Sequence, residues 1–137
     1  MAQLAGVLAM ALCVWAGGPN CAIDPDAEAV SDPEAMIRAL FPAEEADRAV
    51  EVARCESNLD PSVDNRGKNS NGTVDWGLFQ LNDGGTLQRI FRHLEGRDPV
   101  DVQEAQQAAL NPYWNVIGAR WYALVDPAGG WRRWRCA

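Results

Sequence analysis

Helical periodicity runs through most of this chain and is broken once, between Val63 and Leu81, by a polar segment that contains the dipeptide Asn71-Gly72. Apolar residues three and four positions apart demand helices with one buried stripe. Asn-Gly favours positive φ and the tight turn of an antiparallel hairpin. The two patterns together predict an α+β domain, mostly α, with a small antiparallel β-hairpin inserted after the second helix. With 137 residues, 47% of them hydrophobic, the chain can fill one core but not two.

The helices are delimited by their own punctuation. Ser31-Asp32-Pro33-Glu34 supplies an N-cap and a first-turn proline, and Met36, Leu40 and Phe41 form the stripe of a short helix ending at Phe41. After Pro42, the residues Ala46, Ala49, Val50, Val52 and Ala53 recur at helical spacing up to Glu56. Thr86 is expected to cap a helix with Leu87, Ile90, Phe91 and Leu94 inside, stopped by Gly96. Asp98-Pro99 is expected to cap another, running through Ala105 and Ala108 to Leu110. A last long helix follows Asn111-Pro112 with Trp114, Ile117, Trp121 and Leu124, and ends before Asp126-Pro127 and Gly129-Gly130.

Residues 4–16 form an apolar run too short to span a bilayer comfortably, followed by small residues, which reads as a secretion signal over 1–18. The run is not preceded by Lys or Arg, so an uncleaved anchor is the alternative and the one route to a membrane. Residues 19–30, rich in Ala, Asp, Glu and Pro, read as a flexible acidic spacer, leaving 31–137 as the folded domain. Removal of the signal takes Cys13 and leaves Cys21, Cys55 and Cys136, an odd number. A Cys55–Cys136 bridge would tie the C-terminus to the helix carrying Glu56 and leave Cys21 over. These features predict a secreted, extracellular protein of the cell envelope, acting as a monomer.

The net charge is −7, with nineteen acidic against twelve basic residues and one lysine, Lys68. That balance excludes nucleic acid as a partner. It also gives no long-range attraction to an anionic cell wall, which favours local action on the envelope of the producing cell.

Glu56 and Asp75 lie on either side of the Asn71-Gly72 turn. Two-carboxylate glycosidases need one carboxyl kept protonated for the leaving oxygen and a second, ionised one facing the oxocarbenium-like centre. Stepping back four and seven positions from Glu56 reaches Val52 and Ala49, so its carboxyl leaves the helix on the apolar side, where burial raises a carboxyl pKa. Asp75 follows the expected Asn-Gly turn, and its structural alternative is a turn residue closing the hairpin.

Glu56-Ser57-Asn58-Leu59-Asp60-Pro61, followed by Asp75-Trp76-Gly77-Leu78-Phe79-Gln80-Leu81-Asn82, resembles the lysozyme superfamily, including animal-type lysozymes and soluble lytic transglycosylases. The similarity continues through Asn111-Pro112 and Asn115, and through Gly130-Trp131 to Trp134-Arg135-Cys136, a tail like that of secreted actinobacterial members. It covers residues 33–137. The resemblance implies a lysozyme-like fold, with peptidoglycan glycan strands as partner and cleavage of the β-1,4 bond between N-acetylmuramic acid and N-acetylglucosamine. It implies Glu56 as general acid, Asp75 as supporting carboxylate, Gln80 in contact with substrate and Asn82 supporting the aspartate. Transglycosylases do without the second carboxylate, so hydrolysis and 1,6-anhydro formation both stay open.

Ser57, Trp76, Gln80, Asn82 and Tyr113 are the candidates to line the substrate cleft. Trp76 beside Asp75 is the stacking candidate, while Trp114, Trp121, Trp131 and Trp134 are expected in the core. Gly77 would allow a close approach of backbone and sugar, or a bend in the strand. No cofactor is implied and no metal: His93 has no second ligand type nearby, and residues 64–72 miss the spacing of a calcium loop. The alternative from another class is a catalytically weak or inactive peptidoglycan-binding module of the same fold. A phage or secretion-apparatus component would share the chemistry.

Overall fold

The computed structural model describes residues 32–137. The secretion signal, the acidic spacer, Cys13, Cys21 and Ser31 lie outside the described residues. Five helices and one two-stranded antiparallel sheet make up the described part, an α+β arrangement that is mostly α.

Helix α1 (Pro33–Leu40) begins where Asp32 Oδ2 accepts the Ala35 N–H at 3.1 Å. Its buried face is Met36, Ile37 and Leu40. Helix α2 (Ala43–Ser57) buries Ala46, Ala49, Val50, Val52 and Ala53, then stops at Asn58, which takes the left-handed conformation at φ 55°. Strands β1 (Asp75–Trp76) and β2 (Leu81–Asn82) follow, with Asp75 opposite Asn82 and Trp76 opposite Leu81. Helices α3 (Thr86–Glu95), α4 (Val102–Ala109) and α5 (Pro112–Leu124) complete the domain, and a 3-10 turn, Trp131–Arg133, opens the C-terminal tail.

The hairpin is built differently from its sequence expectation. The β1–β2 connection is Gly77-Leu78-Phe79-Gln80, with Gly77 at φ 76° and Gln80 at φ 52°. Asn71-Gly72 does form a turn, with Gly72 at φ 79°, but in the longer loop that joins β1 to an earlier segment paired with it through an Asp64–Trp76 bridge. The dipeptide specifies a local backbone shape and says nothing about which strands it joins. Two helix starts also shift. Gly85 precedes α3, so Thr86 is its first residue, not its cap. Helix α4 is capped by Asp101, whose Oδ1 accepts the Glu104 N–H at 2.9 Å, while Asp98 accepts from Arg92.

Helix α5 is buried nearly all round, which places it at the centre against α1, α3, α4 and the 3-10 turn. From it Asn115, fully buried, reaches the hairpin. Its Oδ1 accepts the Phe79 N–H at 2.9 Å, and its Nδ2 donates to the carbonyls of Trp76 at 3.0 Å and Ala109 at 2.8 Å. A β-carbon on Gly77 would lie 2.4 Å from both Ala109 O and Asn115 Nδ2, so only glycine lets the hairpin seat on α4 and α5.

An aromatic cluster then secures the tail. Phe79, at the hairpin tip, stands 6.2 Å from the Trp134 ring and 5.7 Å from Phe41, and Trp131 lies 5.8 Å from Phe41. Trp134 Nε1 donates to Phe79 O at 2.7 Å. Arg89 closes a bidentate pair on buried Asp126, holding that carboxyl below its usual range, and Gly129 passes so near Tyr122 O that a β-carbon would sit 1.8 Å from it. Cys55 and Cys136 are disulfide-bonded across a separation of 81 residues. Among the described residues no helix is long and apolar enough to cross a membrane.

Candidate active site

Glu56 is the next-to-last residue of α2, and the left-handed turn at Asn58 directs the chain away, so the carboxyl is left half-buried at the helix end. The neighbouring Ser57 is buried, with Oγ 2.8 Å from Leu78 O and 3.0 Å from Ala53 O. It pins the helix end to the hairpin turn and does not line the cleft. Burial is the largest influence on Glu56 and raises its pKa; the Cys136 N–H, 3.4 Å from Oε1, opposes that. The negative charge of Asp75 adds to the rise, and Arg135 counters it.

Asp75, at the start of β1, is surrounded by amides. Asn82 Nδ2 donates to Oδ1 at 2.6 Å, Asn69 Nδ2 donates to Oδ2 at 3.1 Å, and Asn65 Nδ2 donates to the same Oδ2. Asn65 also accepts the Asp75 N–H on Oδ1 at 2.6 Å. Both carboxylate oxygens are therefore oriented by side chains that are themselves tied to the loop, since Asn69 also donates to Thr73 O and Asn82 to Thr73 Oγ1. Such support limits rotation of the carboxylate without covering its open side.

The two carboxylates line one cleft of about 500 Å³. Asn65, Lys68, Asn69, Asn82 and Gln80 form the wall on the Asp75 side. Arg133, Trp134, Arg135 and Cys136 of the tail form the wall on the Glu56 side, and Tyr122 and Thr86 also contribute. Gln80 reaches this position from the hairpin turn, with Nε2 donating to Gly77 O at 2.9 Å and Val63 O at 3.1 Å. Trp76 is turned away from the cleft. Its ring is buried, its Nε1 donates to Asp83 Oδ2 at 3.1 Å, and the Arg66 guanidinium lies over it. Desolvation pushes Asp83 up, yet the Val74 N–H, this indole and the Gln106 amide outweigh it and hold the carboxyl low. Tyr113 is buried in α5 and does not line the cleft, whereas Tyr122, two turns or more along the same helix, does.

Asn65, Asn69 and the tail cations were not among the sequence candidates. Asparagines in a polar loop look like ordinary turn chemistry, and only the folded loop brings the Asn65 and Asn69 amides to the carboxylate that Asn82 also supports. His93 stacks on Trp121 at 4.0 Å between ring centres. Among the described residues no three His, Cys, Asp or Glu side chains are placed to hold a metal ion.

Fold and site thus define a mostly helical α+β domain with a carboxylate pair in an open, polar cleft. Comparison with known proteins finds no matching protein family, no matching curated protein and no matching solved structure.

Proposed function

We propose that this protein has a lysozyme-like fold and cleaves the β-1,4 bond between N-acetylmuramic acid and N-acetylglucosamine in peptidoglycan, with Glu56 as general acid. The observation that supports this reading most is a carboxyl raised by burial sharing one cleft with a second, amide-oriented carboxylate. A proton donor working near neutral pH must be held above its solution pKa. Glu56 donates its proton to the glycosidic oxygen as the bond to the anomeric carbon breaks, and the leaving sugar departs as an alcohol. Asp75 faces the positive charge that develops at that carbon. Glu56, now ionised, takes a proton from the acceptor that completes the reaction, either water or the muramic acid's own 6-hydroxyl. The Cys55–Cys136 disulfide fits an oxidising compartment, and hence secretion to the envelope.

The test is mass spectrometry of soluble fragments from purified peptidoglycan treated with the wild-type protein and with Glu56→Gln. Fragments from wild type alone are expected. Reducing muramic ends identify a hydrolase, and 1,6-anhydro ends, lighter by one water, identify a lytic transglycosylase. A folded wild-type protein that binds the wall and releases nothing would overturn the enzymatic reading in favour of a glycan-binding module.

A further inference from the structure

Positive charge is concentrated in the cleft of this otherwise acidic chain. Three of the twelve basic side chains, Lys68, Arg133 and Arg135, line it, against only two of the nineteen acidic ones, Glu56 and Asp75. Six other arginines form ion pairs, Arg38, Arg54, Arg66, Arg89, Arg92 and Arg97, while Arg48 lies over Trp131, Arg120 donates to Leu40 O and Arg132 is exposed outside the cleft. None of the three cleft cations lies within salt-bridge distance of a carboxylate among the described residues, and Arg135 acts on one through its charge, which opposes the rise that burial causes in the Glu56 pKa. They come from two separate segments, Lys68 from the loop that precedes β1 and Arg133 and Arg135 from the C-terminal tail. Arg133 is steered by its Nε, which donates to Ala128 O at 2.9 Å, leaving its terminal nitrogens uncommitted.

A neutral polysaccharide offers these groups hydrogen-bond acceptors but no opposite charge, and a chain of net charge −7 gains nothing from long-range attraction to an anionic polymer. What the three cations can do is recognise anionic groups at contact distance, where guanidinium and ammonium donors form charge-assisted hydrogen bonds with carboxylates. We propose that Lys68, Arg133 and Arg135 bind carboxylates on the substituents of the glycan, so that the cleft selects strands bearing acidic stem peptides over the same strands with those carboxylates masked. The inference rests on the peptidoglycan reading and adds which chemical feature of that polymer the cleft walls read.

The experiment measures retention of the full-length Glu56→Gln protein on insoluble sacculi stripped of phosphate polymers, before and after their carboxylates are converted to amides with carbodiimide and ammonia. Amidation is expected to weaken binding by about fivefold at low salt, the effect of one exposed charge pair, or more if several pairs act together. Adding Lys68→Gln, Arg133→Gln and Arg135→Gln is expected to bring retention on unmodified sacculi down to the amidated level. Arg132→Gln, on an exposed neighbour outside the cleft, is expected to keep the preference. Equal retention on both sacculi, retention on neither, or a preference that survives the triple variant would overturn the proposal. If the triple variant does not fold, Lys68→Gln alone and the parent comparison decide it. Turnover is scored separately with wild type, so released fragments with equal retention remove this inference only. Charge-selective retention with no fragments removes the enzymatic reading only.

Discussion

The two walls of the cleft draw on different ranges of the chain. Asp75 is held by Asn65, Asn69 and Asn82, within ten residues of it, whereas Glu56 receives the Cys136 N–H from 80 residues away. The first wall organises itself as its loop folds, at low cost in chain entropy. The second exists only once a long loop has been closed, and closure is the unfavourable step for distant contacts. The Cys55–Cys136 bridge sits where that problem is greatest, beside Glu56. A carboxylate whose orientation matters can thus be fixed locally, while one whose burial matters needs distant chain laid over it.

The largest effect should come from removing what both walls share. Asn115→Ala leaves the Phe79 N–H and the Trp76 and Ala109 carbonyls without their buried partner, an expected loss of about 5 kcal/mol in urea unfolding. Gly77→Ala, which drives a β-carbon into Ala109 O, should behave the same way. If either proves mild, the hairpin is not seated by α5 and the contrast between the walls loses its common base.

Cys136→Ser separates the walls. Opening a loop of 81 residues should cost about 4 kcal/mol in denaturant. Burial is the main cause of the raised Glu56 pKa, so a loosened tail should move the alkaline limb of the pH–activity profile toward acid, with the Asp75 amides untouched. An unmoved limb would show that the burial the tail supplies is no larger than the opposing Cys136 N–H and Arg135 charge it also brings.

Asn82→Ala probes the other wall. Asp75 keeps Asn65 and Asn69, so the expected loss is about 1.5 kcal/mol of stability, with lower turnover and an alkaline limb that stays in place. A shifted limb would mean the walls are coupled.

The smallest effect concerns Glu56 itself. Because folding raises its pKa, the fold holds this proton more tightly than the unfolded chain does. That stability is present below the ordinary glutamate range and is lost as pH rises through the folded pKa. Glu56→Gln should therefore be more stable than wild type at neutral pH, by less than about 1 kcal/mol after solvent screening. The difference should vanish in acid, as thermal melts across pH would show.

Which parts could be read in advance follows the same division. Helix α1 with its Asp32 cap, the stop at Gly96 and the Asn111-Pro112 start of α5 are written in adjacent residues, because caps and the 3.6-residue stripe are local physics. The Cys55–Cys136 pairing was expected and is present. The β1–β2 turn was not located, since Leu78 and Phe79 look like strand core and become a turn only because Asn115 receives them. Trp76 was expected beside the substrate, but burial against Asp83 satisfies both its ring and its N–H.

From residue order alone came the helical stripes, the single polar interruption, the two carboxylates on either side of its Asn71-Gly72 turn and the acidic balance of the chain, because each is set by composition or by local pattern. The folded chain alone decided that Asn65 and Asn69 join Asn82 on Asp75, that the Cys136 N–H reaches the Glu56 carboxyl, and that Lys68, Arg133 and Arg135 share its cleft. The first is settled within the loop and hairpin, but the contacts of the tail join residues up to 80 positions apart and are settled by which packing buries Phe79, Trp131 and Trp134 together, which no local pattern encodes.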